Sequence, residues 1–290
     1  MLFKPADGTP SLGLFGVNEE PTLRHQALAR IARLTEDLGY ESIWVGEHPV
    51  LPDPPSPDSP FDARLRLGDP LVVLSFLTAV TQRIRLATGI VLLPLRNPLI
   101  LAKELASLDV LSGGRLILGF GMGYIEPEAA ALGVPFEDRG ARGQEHLEAM
   151  RTLWYDDTPA FHGRHVDFDH VDAHPRPVQP DLHVVAGGHT AAAFRRAVTL
   201  AHGWYGFAIP PHRVERHLRG LRDAAERHQR PAHLGPLEIT ITPPRGMATQ
   251  EMVEQYRQAG VHRLVVYPGL GNDLDALEAF VRKQAASIDA

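Results

Sequence analysis

The chain has 290 residues, 44% of them hydrophobic and 22% charged, with a formal net charge of −6 and no cysteine. That is enough apolar material for one sizeable core, and 290 residues is a normal length for a single α/β barrel domain. The mildly acidic balance gives no electrostatic reason to expect nucleic acid or an anionic membrane as partner, and the lack of cysteine excludes disulfides, thiolate metal sites and a cysteine nucleophile.

The predicted elements alternate between short apolar runs and amphipathic segments. Strand Leu12–Val17 precedes a helix with Leu28, Ile31, Thr35 and Leu38 on one face and Gly39 placed to stop it. Strand Ser42–Val45 is followed by the segment Pro49–Gly68, with prolines at 49, 52, 54, 55, 57 and 60. Asp69-Pro70 reads as a helix start, with the aspartate as cap and the proline at the first helical position. After strand Ile84–Leu93, Asn97-Pro98 repeats that signature and Gly113 ends the helix. Strand Leu116–Phe120 and helix Arg139–Trp154 come next, then the His-, Asp- and Pro-rich segment Tyr155–Leu182. The remaining strands are His183–Ala186, Trp204–Phe207, Glu238–Thr242 and Leu264–Tyr267. The helices between and after them are Thr190–Ala201, Pro211–His228 (with Val214, Leu218, Leu221 and Ala225 on one face), Thr249–Ala259 and Asp273–Ala285.

Eight strands alternating with eight helices predict a closed parallel (β/α)8 TIM barrel, residues 1–290 as one domain, with long loops after strand 2 and before strand 5. A doubly wound open sheet is the competing architecture, but no Gly-x-Gly-x-x-Gly follows the first strand. The Met1–Gly8 start lacks the basic and apolar regions of a signal peptide, and the apolar stretch Leu71–Val80 is too short to span a bilayer. A soluble, cytoplasmic protein is expected.

Barrel active sites lie where strands end, so the residues just past each strand are the candidates. Glu47-His48 is the acid–base candidate, because histidine titrates nearest neutral pH. The competing reading is a histidine that orders the proline-rich loop. Segment Pro49–Gly68 follows strand 2 and is placed as a lid or substrate wall, or as a tolerated surface insertion. Gly187, Gly188, His189 and Thr190 open a helix, where backbone N–H groups and the helix dipole favour an anion, although an ordinary capped turn looks the same. Of the 15 histidines, His162, His165, His170, His174 and His183 cluster in sequence without metal-ligand spacing, and no metal is expected. The arginines at 213, 216, 219 and 222 read as a solvated helix face. No Gly-x-Ser-x-Gly elbow or Walker loop is present.

Several stretches resemble, in order and at matching spacing, the luciferase-like monooxygenase superfamily, particularly its coenzyme F420-dependent branch. They are residues 38–48 ending in Trp44-Val45-Gly46-Glu47-His48, residues 83–90 with 94–98, residues 108–115, Pro177-Val178-Gln179-Pro180, Gly187-Gly188 and His202-Gly203-Trp204. The resemblance implies a flavin or deazaflavin at the barrel mouth. It implies that Thr88, Gly89 and Ile90 form a wall behind the ring system, often through a non-proline cis peptide, and that Gly187, Gly188, His189 and Thr190 meet the phosphate tail. Gly121, Met122 and Tyr124 complete the expected cofactor contacts, with Tyr124 and Trp44 shaping the pocket. Two departures stand out: the family's usual Asp-His is Glu47-His48 here, and Tyr124 stands just past strand four, where some F420-dependent dehydrogenases place a glutamate. Glu126 and Glu128 lie nearby but do not match that position.

The expected function is an F420-dependent oxidoreductase moving a hydride between the deazaflavin and a small organic substrate, with His48 exchanging a proton and Glu47 orienting it. The alternatives are an FMN-dependent monooxygenase that uses oxygen and needs a flavin reductase, and a non-catalytic flavin- or ligand-binding barrel. The resemblance also implies a homodimer.

Overall fold

The computed structural model describes residues 1–5, 8–59, 61–246, 248–269, 271 and 273–288. Pro60, one of the six loop prolines, lies outside them, as do residues 6 and 7 of the N-terminal stretch. The barrel strands are β1 (Ser11–Phe15), β2 (Ser42–Val45), β3 (Arg85–Thr88), β4 (Leu116–Gly121), β5 (Val184–Gly187), β6 (Gly203–Gly206), β7 (Glu238–Ile241) and β8 (Arg263–Val266). All pair in parallel with their sequence neighbours. β1 pairs with β8 and β3 with β4, so the sheet closes as the sequence predicts, and no open edge remains for the doubly wound alternative.

Helices α1 (His25–Asp37), α2 (Pro70–Val80), α3 (Pro98–Ser112), α4 (Glu126–Ala131), α5 (Arg139–Tyr155), α6 (Ala191–Leu200), α7 (Val214–Arg227), α8 (Gln250–Gln258) and α9 (Leu274–Ile288) surround it. Their ends follow the local chemistry. Asp69 accepts the N–H groups of Leu71 and Val72, Asn97 those of Leu99 and Ile100, and Gly113 turns left-handed at φ 68° to stop α3. The predicted helix from Pro211 begins as a 3-10 turn through Arg213 before α7. The short α4 was not anticipated, because six residues are too few to show a period.

Strand alternation divides the core into two shells. Outward-facing residues such as Leu14, Ile43, Leu86 and Leu118 pack under the helices, with Ile31, Leu74 and Leu105. Fully burying one such side chain contributes about 1.5–3 kcal/mol. Inward-facing residues Phe15, Trp44, Ala87, Ile117, Val185, Tyr205, Val265 and Tyr267 fill the barrel. Trp44 is fully buried, stacks on Tyr205 at 5.0 Å and donates to Ser42 Oγ at 2.8 Å, so it forms floor beneath the mouth.

The predicted strand Ile84–Leu93 is broken. After β3 the chain bulges at Gly89-Ile90, whose peptide bond is cis, resumes as Val91–Leu92 beside β4 and turns through Leu93–Leu95. The bulge fits because β4 carries glycines opposite it. A Cβ on Gly119 would collide with the Thr88 carbonyl oxygen, and one on Gly121 would stand 2.5 Å from Ile90 Cδ1. Thr88 Oγ1 donates to the Gly119 carbonyl at 2.6 Å across the same contact.

The two long segments differ in placement. Residues 49–68 fold back over the end of β1, where Asn18 Nδ2 donates to the Gly68 carbonyl and Gly68 N–H to that of Asn18, both at 2.8 Å. Residues 155–182 form a small antiparallel ribbon, Phe161–His162 with Asp167–Phe168, whose tip donates two N–H groups to Glu145 on α5. Their base is tied to Asp109 at the end of α3 through Val178 and Gln179, on the side where strands begin.

Gly119→Ala is expected to destabilise the fold by about 1–3 kcal/mol or more, because strand backbone, unlike a flexible side chain, cannot move aside. A lower denaturant midpoint at unchanged m-value checks this.

Candidate active site at the barrel mouth

Glu47 and His48 leave β2 in opposite directions. The Glu47 side chain is buried and accepts the Leu92 N–H at 2.5 Å and Arg96 Nε at 2.7 Å. Arg96 also pairs with Asp69, the cap of α2. Burial pushes the Glu47 carboxyl up, while Arg96 and the Leu92 N–H oppose that shift. Glu47 therefore joins the end of β2 to the turn beyond the cis bulge, and it makes no hydrogen bond to His48.

The carboxylate that reaches His48 is Glu128. Its oxygens stand 3.1 and 3.3 Å from His48 Nδ1, and its side chain is 1% exposed. A carboxylate only accepts, so it fixes the Nδ1–H tautomer and leaves Nε2 of the neutral ring as the acceptor. Nε2 faces the Tyr124 hydroxyl at 3.5 Å. The Tyr124 ring stands edge-on to the imidazole at 5.7 Å, and Phe61, from the 49–68 segment, covers it at 5.2 Å. This is a base, an orienting acid and a neighbouring hydroxyl, the arrangement proton transfer requires. Sequence reasoning missed the role of Glu128 because α4 was not foreseen. The available signal was an acidic residue in the first turn of a helix opening just past a barrel strand.

Ile90 stands at the centre of the next wall. A Cβ on Gly187 would lie 3.0 Å from Ile90 Cγ2, so Gly121 and Gly187 seat this side chain from two strands. Met122 points elsewhere: its sulfur occupies the space a Cβ on Gly143 of α5 would need, and only its backbone borders the strand end. Gly188 has φ +114°, and its carbonyl accepts from Trp204 Nε1 at 2.8 Å. His189 Nε2 accepts the Phe207 N–H at 3.2 Å, and Thr190 Oγ1 caps α6 through the Ala193 N–H at 3.2 Å.

Beside that α6 start lies a group of arginines that sequence reasoning did not single out. Arg196 is 9% exposed, and its Nη1 would stand 3.6 Å from a Cβ on Gly140. Burial, with Arg195 and Arg139 nearby, lowers it to about 10. No carboxylate among the described residues pairs with it. Arg139, the first residue of α5, donates to the Gly123 and Phe136 carbonyls, and one turn later Arg142 Nε is buried without a partner among the described residues. An unneutralised guanidinium on α6 beside an orphaned donor on α5 makes the face between these helices receptive to an anion.

Arg96→Met is expected to cost about 3–5 kcal/mol by leaving the Glu47 charge buried and unpaired. Adding Glu47→Leu should recover much of that loss, as chemical denaturation of the single and double variants would show.

Known proteins place the chain. The luciferase-like monooxygenase family model matches residues 11–285. An uncharacterized protein of Mycobacterium tuberculosis is 39% identical over 185 residues, covering 61% of this chain and 66% of that protein, just under two thirds of its length. The F420-dependent glucose-6-phosphate dehydrogenase of Amycolatopsis mediterranei is 31% identical over 175 residues, covering 58% of this chain and 49% of that enzyme. Among solved structures, monooxygenase RslO1 from Streptomyces bottropensis shares the fold with a TM-score of 0.78 at 22% identity, covering 96% and 98% of the two chains. With its closed parallel barrel and a family match along nearly its whole length, the chain belongs to the luciferase-like monooxygenase family.

Proposed function

We propose that the protein is a coenzyme F420-dependent oxidoreductase that moves a hydride between the deazaflavin and a small organic substrate. The observation that carries this reading is the His48–Glu128 pair at the mouth, covered by Phe61 and facing Tyr124. When bound, the deazaflavin supplies the hydride acceptor or donor. The chain's residues fit such a group at its anionic end, because among the described residues no carboxylate pairs with Arg196 of α6 and the Arg142 Nε of α5 has no partner. Gly187, Gly188, His189 and Thr190 with these arginines would hold the phosphate. Thr88, Gly89 and Ile90 would back the ring, with Gly121, the backbone of Met122 and Tyr124 along its edge.

His48 Nε2 takes the hydroxyl proton of a substrate being oxidised, or returns it in the reverse direction. Glu128 stabilises the imidazolium formed in between. Phe61 limits water, and Glu47 acts at one remove by clamping the end of β2. The Amycolatopsis relative supports F420.

A second reading uses FMN and oxygen with a separate flavin reductase. It is favoured by Tyr124, a hydroxyl rather than a carboxylate just past β4. A third, a non-catalytic barrel, leaves the His48–Glu128 pair without a task. A cytoplasmic homodimer belongs to the leading reading. It draws support from Val72 and Ile100, 70% and 61% exposed on the adjacent helices α2 and α3. Among the described residues no helix is long and apolar enough to cross a membrane.

Cofactor titration is the direct test: F420 is expected to bind more tightly than FMN, and tight FMN binding with no affinity for F420 would overturn the leading reading. Arg196→Met should weaken cofactor binding by about tenfold or more, roughly 1.4 kcal/mol, without lowering the melting temperature, since it removes an unpaired charge. His48→Ala should reduce kcat by about 10²–10⁴-fold with fold and cofactor affinity retained, and unchanged turnover would leave the imidazole no catalytic part.

A further inference from the structure

Glu19 follows β1 at the mouth and is 6% exposed. Both its carboxylate oxygens face a single donor, the Tyr267 hydroxyl, at 3.0 and 2.9 Å. An ionised carboxylate normally collects several donors: Glu36 takes the N–H groups of Gln82, Arg83 and Ile84, and its carboxyl is lowered. Glu19 has only the one hydroxyl among the described residues. Burial therefore pushes its carboxyl up to about 7, against the opposing pull of Tyr267 and Arg245. Burial also raises the Tyr267 phenol well above its ordinary value, so it stays an O–H donor.

The nearest cation is Arg245, in the loop after β7. It is exposed, lies 4.8 Å over the Tyr267 ring and reaches the hydroxyl at 3.3 Å. No carboxylate among the described residues forms an ion pair with it. At this rim Glu20 pairs with Arg66 of the 49–68 segment. Tyr267 also belongs to the mouth itself. Its ring packs edge-on against Phe15 at 5.0 Å, and Phe15 in turn lies 3.1 and 3.0 Å from where Cβ atoms on Gly46 and Gly89 would stand. The pair thus sits on the β8 side of the same opening that His48 borders from β2.

We propose that Glu19, Tyr267 and Arg245 form a proton-linked anion seat: an anionic group bound in the mouth engages Arg245, and Glu19 then takes up one proton. An anion at Arg245 withdraws the countercharge that favours the Glu19 carboxylate, and the buried carboxyl becomes neutral. The step moves one proton from solvent to a Glu19 oxygen and no electrons. The proton then lies one hydrogen bond from Tyr267, which makes Glu19 a second proton store beside the site. The inference rests on the proposed function only in its choice of probe ligands.

The test is calorimetric titration of the full chain with sulfate, a small anion that does not titrate in this range, and with F420 and FMN, at about pH 8 in two buffers of different ionisation enthalpy, which counts protons taken up on binding. The wild type is expected to take up a fraction of a proton when sulfate binds, and the isosteric Glu19→Gln variant none. Arg245→Met should bind about tenfold more weakly and lose most of the uptake. Equal uptake in Glu19→Gln and wild type overturns the proposal. If neither cofactor binds, the cofactor reading fails by itself, and the ligand-free protein decides for Glu19. A protonated-carboxyl infrared band should titrate near neutral pH in the wild type and be missing in Glu19→Gln, and its absence from the wild type overturns the proposal.

Discussion

The buried contact between Glu47 and Arg96 is the constraint on which the mouth depends. It joins three places that are far apart in sequence: the end of β2, the turn beyond the Gly89-Ile90 bulge, and the Asp69 cap of α2. A buried ion pair is a poor source of net stability, because desolvating both charges offsets most of their attraction. Its value here is geometric. With Glu47 tied down behind the strand, the next residue must face the opposite way, and His48 is delivered to the mouth with its ring free to meet Glu128.

The two halves of the opening are neutralised to different degrees. On the β2 and β4 side, His48, Glu128 and Tyr124 satisfy one another without outside help. On the α5 and α6 side, guanidiniums crowd together with no carboxylate among the described residues to balance them. A fold can tolerate such crowding where a ligand supplies the missing charge. The neutralised half is where a proton can move between partners already in contact. Stability and function are separated spatially as well: the ion pairs of Arg263 with Glu41 and Glu238 close the opposite end of the barrel.

Much of this was legible in the residues, for identifiable reasons. Caps and stops such as Asp69-Pro70, Asn97-Pro98 and Gly113 act within one turn of chain, so their chemistry is visible locally. The eight strands showed because each buries apolar residues over four to six positions. The strand read as Ile84–Leu93 was too long because apolar composition continues through the bulge, and only the facing glycines of β4 reveal that the chain must break there. Met122 and Glu128 show the same limit. One has its side chain drawn into α5 and the other reaches back 80 residues to His48, and no sequence spacing encodes either direction.

The sequence by itself determined the alternation of elements, the barrel class, the position of His48 at a strand end and the family resemblance, since each rests on contacts or patterns only a few residues long. The tertiary structure decided which carboxylate serves the histidine, which glycines exist to seat Ile90, and which arginines stand without a carboxylate among the described residues. Those outcomes depend on side chains brought together by barrel closure. At the strand end where both began, Glu47 became the clamp and His48 the group facing the mouth, because the partners that separate them come from the turn beyond the Gly89-Ile90 bulge and from α4.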